Sequence, residues 1–295
     1  MESLNYVRLK VIASTLRLAQ PCPVKSPNFD DVIQVPSRDA DRTIKVHVYR
    51  PSNPEANAPS PVLVNFHGSG FVLYWHGSDD YFCRLVARKA QYTVLDVQYR
   101  LAPEHPFPAA PHDAEDVVKY VLSQPQQYDT THLSVSGFSA GANLALVVSS
   151  LADFPKKTFR SVLAIYPPTD QATDPFTKKA PDPSGTPIPG NIASLFNQCY
   201  FGDQDPKNPM ISPIFADANA FPENMLIITC ACDTLAPEAE AFADKIEKEG
   251  GKGRHLVRRR VPGVNHGWDK LPDIDSEGEK KRDEIYDMAI EMLKR

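Results

Sequence analysis

The sequence predicts an α/β fold, a mostly parallel sheet with helices packed on both faces. Three observations carry that expectation. Apolar runs at residues 62–66, 93–97, 133–135, 162–165 and 225–229 are short and do not alternate with polar residues. Such runs suit strands buried on both faces of a parallel sheet. Helical apolar patterns separate them at residues 81–89, 114–123, 143–151 and 237–249, so strand and helix take turns along the chain. A length of 295 residues, 42% hydrophobic and 23% charged, suffices for one large domain with a full core.

Taken in order, residues 1–20 set Leu4, Val7, Val11 and Leu18 at helical spacing. They predict an amphipathic helix with those residues on its apolar face. Residues 44–50 alternate like a half-buried strand. The five apolar runs and their helices follow. Residues 255–261 read as a last strand and 277–295 as a final helix. Between residues 167 and 221 the alternation stops over a span too long for a simple loop. That segment is expected to form a lid, helical over 193–200, joined by the N-terminal helix. The chain has 28 prolines against 14 glycines, and prolines crowd residues 167–189, which implies stiff connections.

A net charge of −5 argues against nucleic acid or an anionic membrane surface as the main partner. No run approaches the roughly 20 apolar residues of a membrane span. Arg8, Lys10 and Arg17 interrupt any secretory-type apolar region near the N-terminus. Cys22, Cys83, Cys199, Cys230 and Cys232 show no framework spacing and read as reduced thiols. Cys230-Ala231-Cys232 is too short for a zinc or redox pair. The expectation is a cytoplasmic protein, compatible with a homodimer, that acts on a small molecule without a metal.

The chemistry starts at Gly137-Phe138-Ser139-Ala140-Gly141, between the run at 133–135 and the helix at 143–151. Gly-x-Ser-x-Gly between strand and helix is a nucleophile elbow: the turn is so tight that the flanking glycines cannot carry side chains, and the serine hydroxyl is left exposed. The helix that follows points its first amides at the place where negative charge develops. Serine needs a base to take its proton, and the base needs an orienting carboxylate. Asp233 follows the strand run at 225–229, and His266 follows the last strand between Gly263 and Gly267. Glu238 is the rival acid, but it lies inside the next helix. His67-Gly68-Ser69-Gly70 follows the run at 62–66, where bare backbone amides can hold an oxyanion. The amides of Gly68, Ser69 and Ala140 are the candidate donors. Phe71, Tyr74, Trp75, Phe138, Phe196 and Tyr200 are candidates to line an apolar substrate pocket.

These segments resemble the hormone-sensitive-lipase family of α/β-hydrolases. The resemblance rests on His67-Gly68-Ser69-Gly70-Phe71, the block from Tyr99 to Ala110 (YRLAPEHPFPAA), the elbow continuing to Ala145, Cys232-Asp233-Thr234-Leu235 and Asn265-His266-Gly267-Trp268. It spans residues 60–295. It implies an α/β-hydrolase fold with an eight-stranded sheet and a small helical cap from about residues 1–25 and 168–221. The catalytic core would then be residues 26–167 and 222–295 of a single domain. It also implies a carboxylesterase without a cofactor, and a largely structural block from Tyr99 to Ala110 that braces the oxyanion loop.

Two residues depart from the family pattern. Ser69 replaces the usual second glycine, and a positive φ there would strain it. Phe138 replaces the usual polar residue before the nucleophile and alters the pocket wall. The reading is a serine carboxylic-ester hydrolase acting on a small to medium apolar ester. The alternatives are a lyase or dehydratase that reuses the oxyanion hole, and a ligand receptor on the same scaffold. The Ser69 hydroxyl as a direct substrate contact stays open beside the backbone reading.

Overall fold

The computed structural model describes residues 2–52 and 58–295. Its strands are β1 Asp31–Pro36, β2 Thr43–Tyr49, β3 Ser60–Phe66, β4 Thr93–Val97, β5 Tyr128–Phe138, β6 Ser161–Ile165, β7 Asn224–Cys230 and β8 His255–Val261. They form one sheet in the order β1-β2-β4-β3-β5-β6-β7-β8. β2 runs antiparallel to both its neighbours, and every pairing from β4 to β8 is parallel. All five apolar runs lie inside strands.

The helices are α1 Glu2–Ala19, α2 Asp80–Lys89, α3 Ala109–Leu122, α4 Ala140–Ser149, α5 Gly190–Tyr200, α6 Ala236–Glu249 and α7 Ser276–Leu293. Ala114 of α3, Leu144 of α4 and Phe242 of α6 pack in one layer with Val62, Val64 and Phe66 of β3. Phe82 of α2 and Tyr286 of α7 pack in the opposite layer with Leu63 of the same strand. Successive strand residues thus enter opposite cores, which is why the runs are largely apolar.

Two sequence expectations need correction here. β1 was not expected, although Val32, Ile33 and Val35 are β-branched; only Val35 is buried, with Ile33 packed on the core, and pairing with β2 orders the rest. β2 is not half-buried: every residue from Val46 to Tyr49 is buried. Helix α2 covers its second face, where the Tyr49 hydroxyl donates to Asp80 Oδ1 at 3.0 Å.

The third correction concerns α1. Met1 lies outside the described residues, and the helix forms as expected over the rest. The stripe of Leu4, Val7, Val11 and Leu18 does not face inward: those residues are exposed by 74, 56, 61 and 85%. The buried face is Leu9, Ala13 and Arg17. The Arg17 guanidinium decides the docking. It donates to the carbonyls of Val72 and Ala102, both at 2.9 Å, and makes a two-pronged pair with Glu104 at 2.9 and 2.8 Å. A guanidinium fork making four hydrogen bonds at a partly dry interface outweighs the pull of a short apolar stripe.

Residues 168–221 connect β6 to β7, with α5 as their main helix. Arg8 of α1 donates to Gln198 of α5 at 3.1 Å. Among the described residues no helix is long and apolar enough to cross a membrane.

Candidate active site

The elbow has the tightness that its glycines demand. A Cβ on Gly137 would lie 2.2 Å from the Gly141 carbonyl oxygen, and one on Gly141 would lie 1.9 Å from that of Phe66. Ser139 itself sits at φ 52° and ψ −122°, a strained backbone for any residue with a side chain. The strain leaves its hydroxyl above the sheet, at the first turn of α4.

Asp233 and His266 come to it from loops after β7 and β8. His266 Nε2 lies 2.7 Å from Ser139 Oγ, and Nδ1 lies 2.6 Å from Asp233 Oδ2. Asp233 is fully buried, and its other oxygen accepts the Leu235 amide at 3.0 Å. The carboxylate is therefore fixed in plane, and the imidazole is held with one nitrogen toward the serine. Gly263 at φ 65° and Gly267 at φ 69° form the bends that carry His266 there. Glu238, the rival acid, points away. It accepts the amides of Thr169 at 2.8 Å and Asp170 at 3.1 Å and pairs with Lys178, anchoring the start of the 168–221 segment. Burial pushes its carboxyl up to about 7.

The loop of residues 67–70 stands against the elbow. A Cβ on Gly68 would meet the Phe138 carbonyl oxygen at 3.2 Å and the Ser139 Cβ at 3.5 Å. Ala140 opens α4, so its amide has no acceptor within the helix. Among the described residues no acceptor in the chain takes the amide hydrogens of Gly68 or Ser69. The positive φ considered for Ser69 falls instead on Gly70, at 56°, and Phe71, at 61°.

The Ser69 hydroxyl is engaged elsewhere. It accepts the Phe71 amide at 2.9 Å and lies 2.7 Å from the Tyr99 hydroxyl, which donates to the His67 carbonyl at 2.6 Å. Because Tyr99 gives its proton to His67, Ser69 gives its own to Tyr99. The relay ties the loop to Tyr99, two residues beyond β4, and leaves no hydroxyl proton for a substrate. Ser69→Ala should therefore lower stability by about 1–3 kcal/mol, through the orphaned Phe71 amide, and cut kcat/KM less than tenfold. A loss of about 10²- to 10³-fold at an unchanged melting temperature would instead make the hydroxyl a working donor.

A cavity of about 390 Å³ opens over Ser139 and His266. Phe71, Trp75, Phe138 and Phe196 line it, as do Ile188, Ile192 and Leu235, which sequence reading did not single out. Tyr74 and Tyr200 do not. Tyr74 is 61% exposed, with the Arg17 guanidinium 4.1 Å from its ring centroid. Tyr200 is buried behind the wall, stacked on Phe71 with centroids 3.6 Å apart. Both aromatics hold wall elements rather than forming the wall.

Sequence reasoning also missed Tyr166 and Lys270. The Tyr166 ring packs edge-on against His266 at 4.7 Å, and its hydroxyl donates to Asp269 at 2.7 Å. Lys270 Nζ sits 3.4 Å from the Phe138 ring centroid and pairs with Asp79 at 3.0 Å and Asp269 at 3.2 Å. An ammonium over the ring thus steadies the residue before Ser139. The one signal for Tyr166 is its place at the carboxyl end of a central strand, where α/β sheets build their sites.

Residues 63–270 match a family described by its α/β-hydrolase fold. The chain belongs to the hormone-sensitive-lipase family of α/β-hydrolases. It is similar to the ethyl acetate hydrolase of Pseudomonas putida, 28% identical over 273 residues that cover 90% of this chain and 83% of that one. It is also similar to the carboxylesterase NlhH of Mycobacterium tuberculosis, 32% identical over 254 residues, 82% of this chain and 77% of the relative. Among solved structures, an esterase of Pyrobaculum calidifontis superposes with a TM-score of 0.81 at 30% identity, over 97% of this chain and 92% of that one. This α/β-hydrolase joins Asp233, His266 and Ser139 in one hydrogen-bonded chain at the mouth of the cavity.

Proposed function

We propose that this α/β-hydrolase cleaves small to medium apolar carboxylic esters through an acyl-enzyme on Ser139. The observation that carries the reading is the chain Asp233–His266–Ser139, bonded at 2.6 and 2.7 Å and opening into an apolar cavity of about 390 Å³. In this reading His266 Nε2 takes the Ser139 proton as Oγ attacks the ester carbonyl. The amides of Gly68, Ser69 and Ala140 receive the oxyanion. His266 then protonates the leaving alcohol and activates the water that releases the acid. Asp233 holds the proton-bearing nitrogen of His266 and stabilises the imidazolium. The relatives named as esterases and carboxylesterases favour hydrolysis over the lyase and receptor alternatives.

Residues 1–25 and 168–221 act as the cap in this reading. Gln20 and residues 186–189 border the cavity, and the Trp75 indole donates to the Gln20 carbonyl at 3.0 Å. Five cysteines without a disulfide fit a reducing compartment such as the cytoplasm.

A series of aryl esters with acyl chains of increasing length tests the proposal. The cavity lies near the small end of ligand pockets, so kcat/KM should peak at short to medium chains and fall steeply at long ones. Failure to hydrolyse any member, or a preference for the longest, would remove the reading.

A further inference from the structure

We propose that His47, His76 and Asp96 form a binding site for one divalent transition-metal ion of the zinc type, separate from the ester-cleaving site. Each residue offers one ligand atom, and the three atoms lie within 4.8 Å of one another. His47 is 4% exposed, the His76 side chain 8% and Asp96 0%. His76 Nε2 lies 3.4 Å from Asp96 Oδ2 and 3.0 Å from the Asp96 carbonyl oxygen, a hydrogen bond it would give up to the metal. Ligands on a tetrahedral zinc with bonds of about 2.0–2.1 Å are separated by about 3.3 Å. Two imidazoles and a carboxylate are a donor set that such borderline ions prefer.

The orphaned atoms point the same way. Among the described residues, neither ring nitrogen of His47 has a hydrogen-bond partner, nor does Asp96 Oδ2. A buried imidazole with both nitrogens idle is rare in a folded protein. A metal bond would satisfy one His47 nitrogen and the free Asp96 oxygen together.

The sheet sets the cluster up. His47 of β2 is the register neighbour of Asp96 of β4, Asp96 of Asn65 of β3, and Asn65 of Ser136 of β5. Four polar side chains thus form one buried row on the α2–α7 side of the sheet. Asn65 Nδ2 donates to Asp96 Oδ1 at 2.9 Å, and Ser136 donates to Asn65 Oδ1 at 2.8 Å. These bonds fix the carboxylate plane and leave Oδ2 toward the histidines, as the outer hydrogen bonds of metal ligands do.

The charge count adds an independent argument. Asn65 also donates to Asp79, and Asp79 and Asp269 share Lys270. Three buried carboxylates, Asp79, Asp96 and Asp269, therefore face one buried ammonium. Among the described residues, Asp96 has no lysine or arginine within ion-pair distance; its one such neighbour is His76. A divalent cation would offset this excess of buried negative charge. It would also clamp β2, β4 and the segment between the oxyanion loop and α2.

The test uses the full chain, freed of any affinity tag. It is grown with supplementary zinc, and separately refolded from denaturant with zinc or cobalt(II) alone. Elemental analysis after dialysis against metal-free buffer should find one metal ion per chain, and cobalt should give the visible bands of a tetrahedral site. A chelator should lower the melting temperature. His76→Leu should carry no metal, and its melting temperature should ignore the chelator. Hydrolysis of a short aryl ester, well below the melting temperature, should be the same with and without metal. Only traces of metal after both preparations would overturn the proposal, leaving a proton to settle the buried charge. Metal retained at full occupancy in His76→Leu would overturn it equally. Should that variant not fold, Asp96→Asn, close to the native shape, carries the same two readouts.

Discussion

Replacing Ser139 with alanine is expected to reduce ester hydrolysis by about 10⁵- to 10⁶-fold while the fold stands. In the proposed mechanism the Oγ bonds to the acyl group, and among the described residues no other side-chain hydroxyl is hydrogen-bonded to His266 Nε2. The Ser69 hydroxyl is committed to Tyr99 and Phe71, at 2.7 and 2.9 Å. The Tyr166 hydroxyl is committed to Asp269 at 2.7 Å. What survives is the catalysis of the oxyanion amides and the binding pocket, which in serine hydrolases amounts to about 10³- to 10⁴-fold over water. The fold survives because alanine keeps the Cβ and the strained backbone of the elbow unchanged. The lost hydroxyl leaves only His266 Nε2 facing a cavity open to water. The measurements are kcat/KM on an aryl ester, the melting temperature, and labelling by an aryl phosphonate, which should mark the parent at Ser139 and not the variant. A variant retaining a tenth of the parent's turnover would remove Ser139 from the chemistry.

The elbow was legible in the sequence because its constraint is local. Gly137 and Gly141 are needed at fixed offsets whatever the rest of the chain does, and a strand and a helix flank them visibly. The central strands were legible for a related reason: a strand buried on both faces is apolar at most positions, and buried polar residues such as Asn65 and Asp96 are the exceptions. β1 was missed although Val32, Ile33 and Val35 favour a strand, because the run is short, broken by Gln34 and closed by Pro36, and its pairing with β2 does not show in the sequence. The docking face of α1 was misread for a sharper reason. Spacing ranks residues by hydrophobicity, and Leu4, Val7, Val11 and Leu18 outrank Arg17 on any scale. Yet Arg17 finds Glu104 and two carbonyls waiting, partners far away in sequence. The same blindness hid Tyr166 and Lys270, whose roles come from Asp79 and Asp269 across the sheet. It misplaced Tyr200 as well, since an aromatic that lines a pocket and one that backs its lining look alike until Phe71 is seen between them.

Asp233→Asn is expected to lower kcat/KM by about 10⁴-fold with little change in melting temperature, the effect seen when such an aspartate is amidated in a serine protease. The geometry says why the loss should be that large. One Asp233 oxygen accepts the Leu235 amide at 3.0 Å and the other faces His266 Nδ1 at 2.6 Å. In the asparagine variant the carbonyl oxygen must stay on the Leu235 amide, because the alternative sets two N–H donors against each other in a fully buried site. The side-chain NH₂ then faces Nδ1, which must become an acceptor. The imidazole proton moves to Nε2, and a protonated Nε2 cannot take the Ser139 proton. Glu238→Gln provides the contrast. It weakens the anchor of the 168–221 segment at Lys178 and Thr169, so it should destabilise the protein while keeping kcat within about tenfold at temperatures where it is folded. Parent-like rates in Asp233→Asn, together with a collapse of kcat in folded Glu238→Gln, would exchange the roles of the two acids.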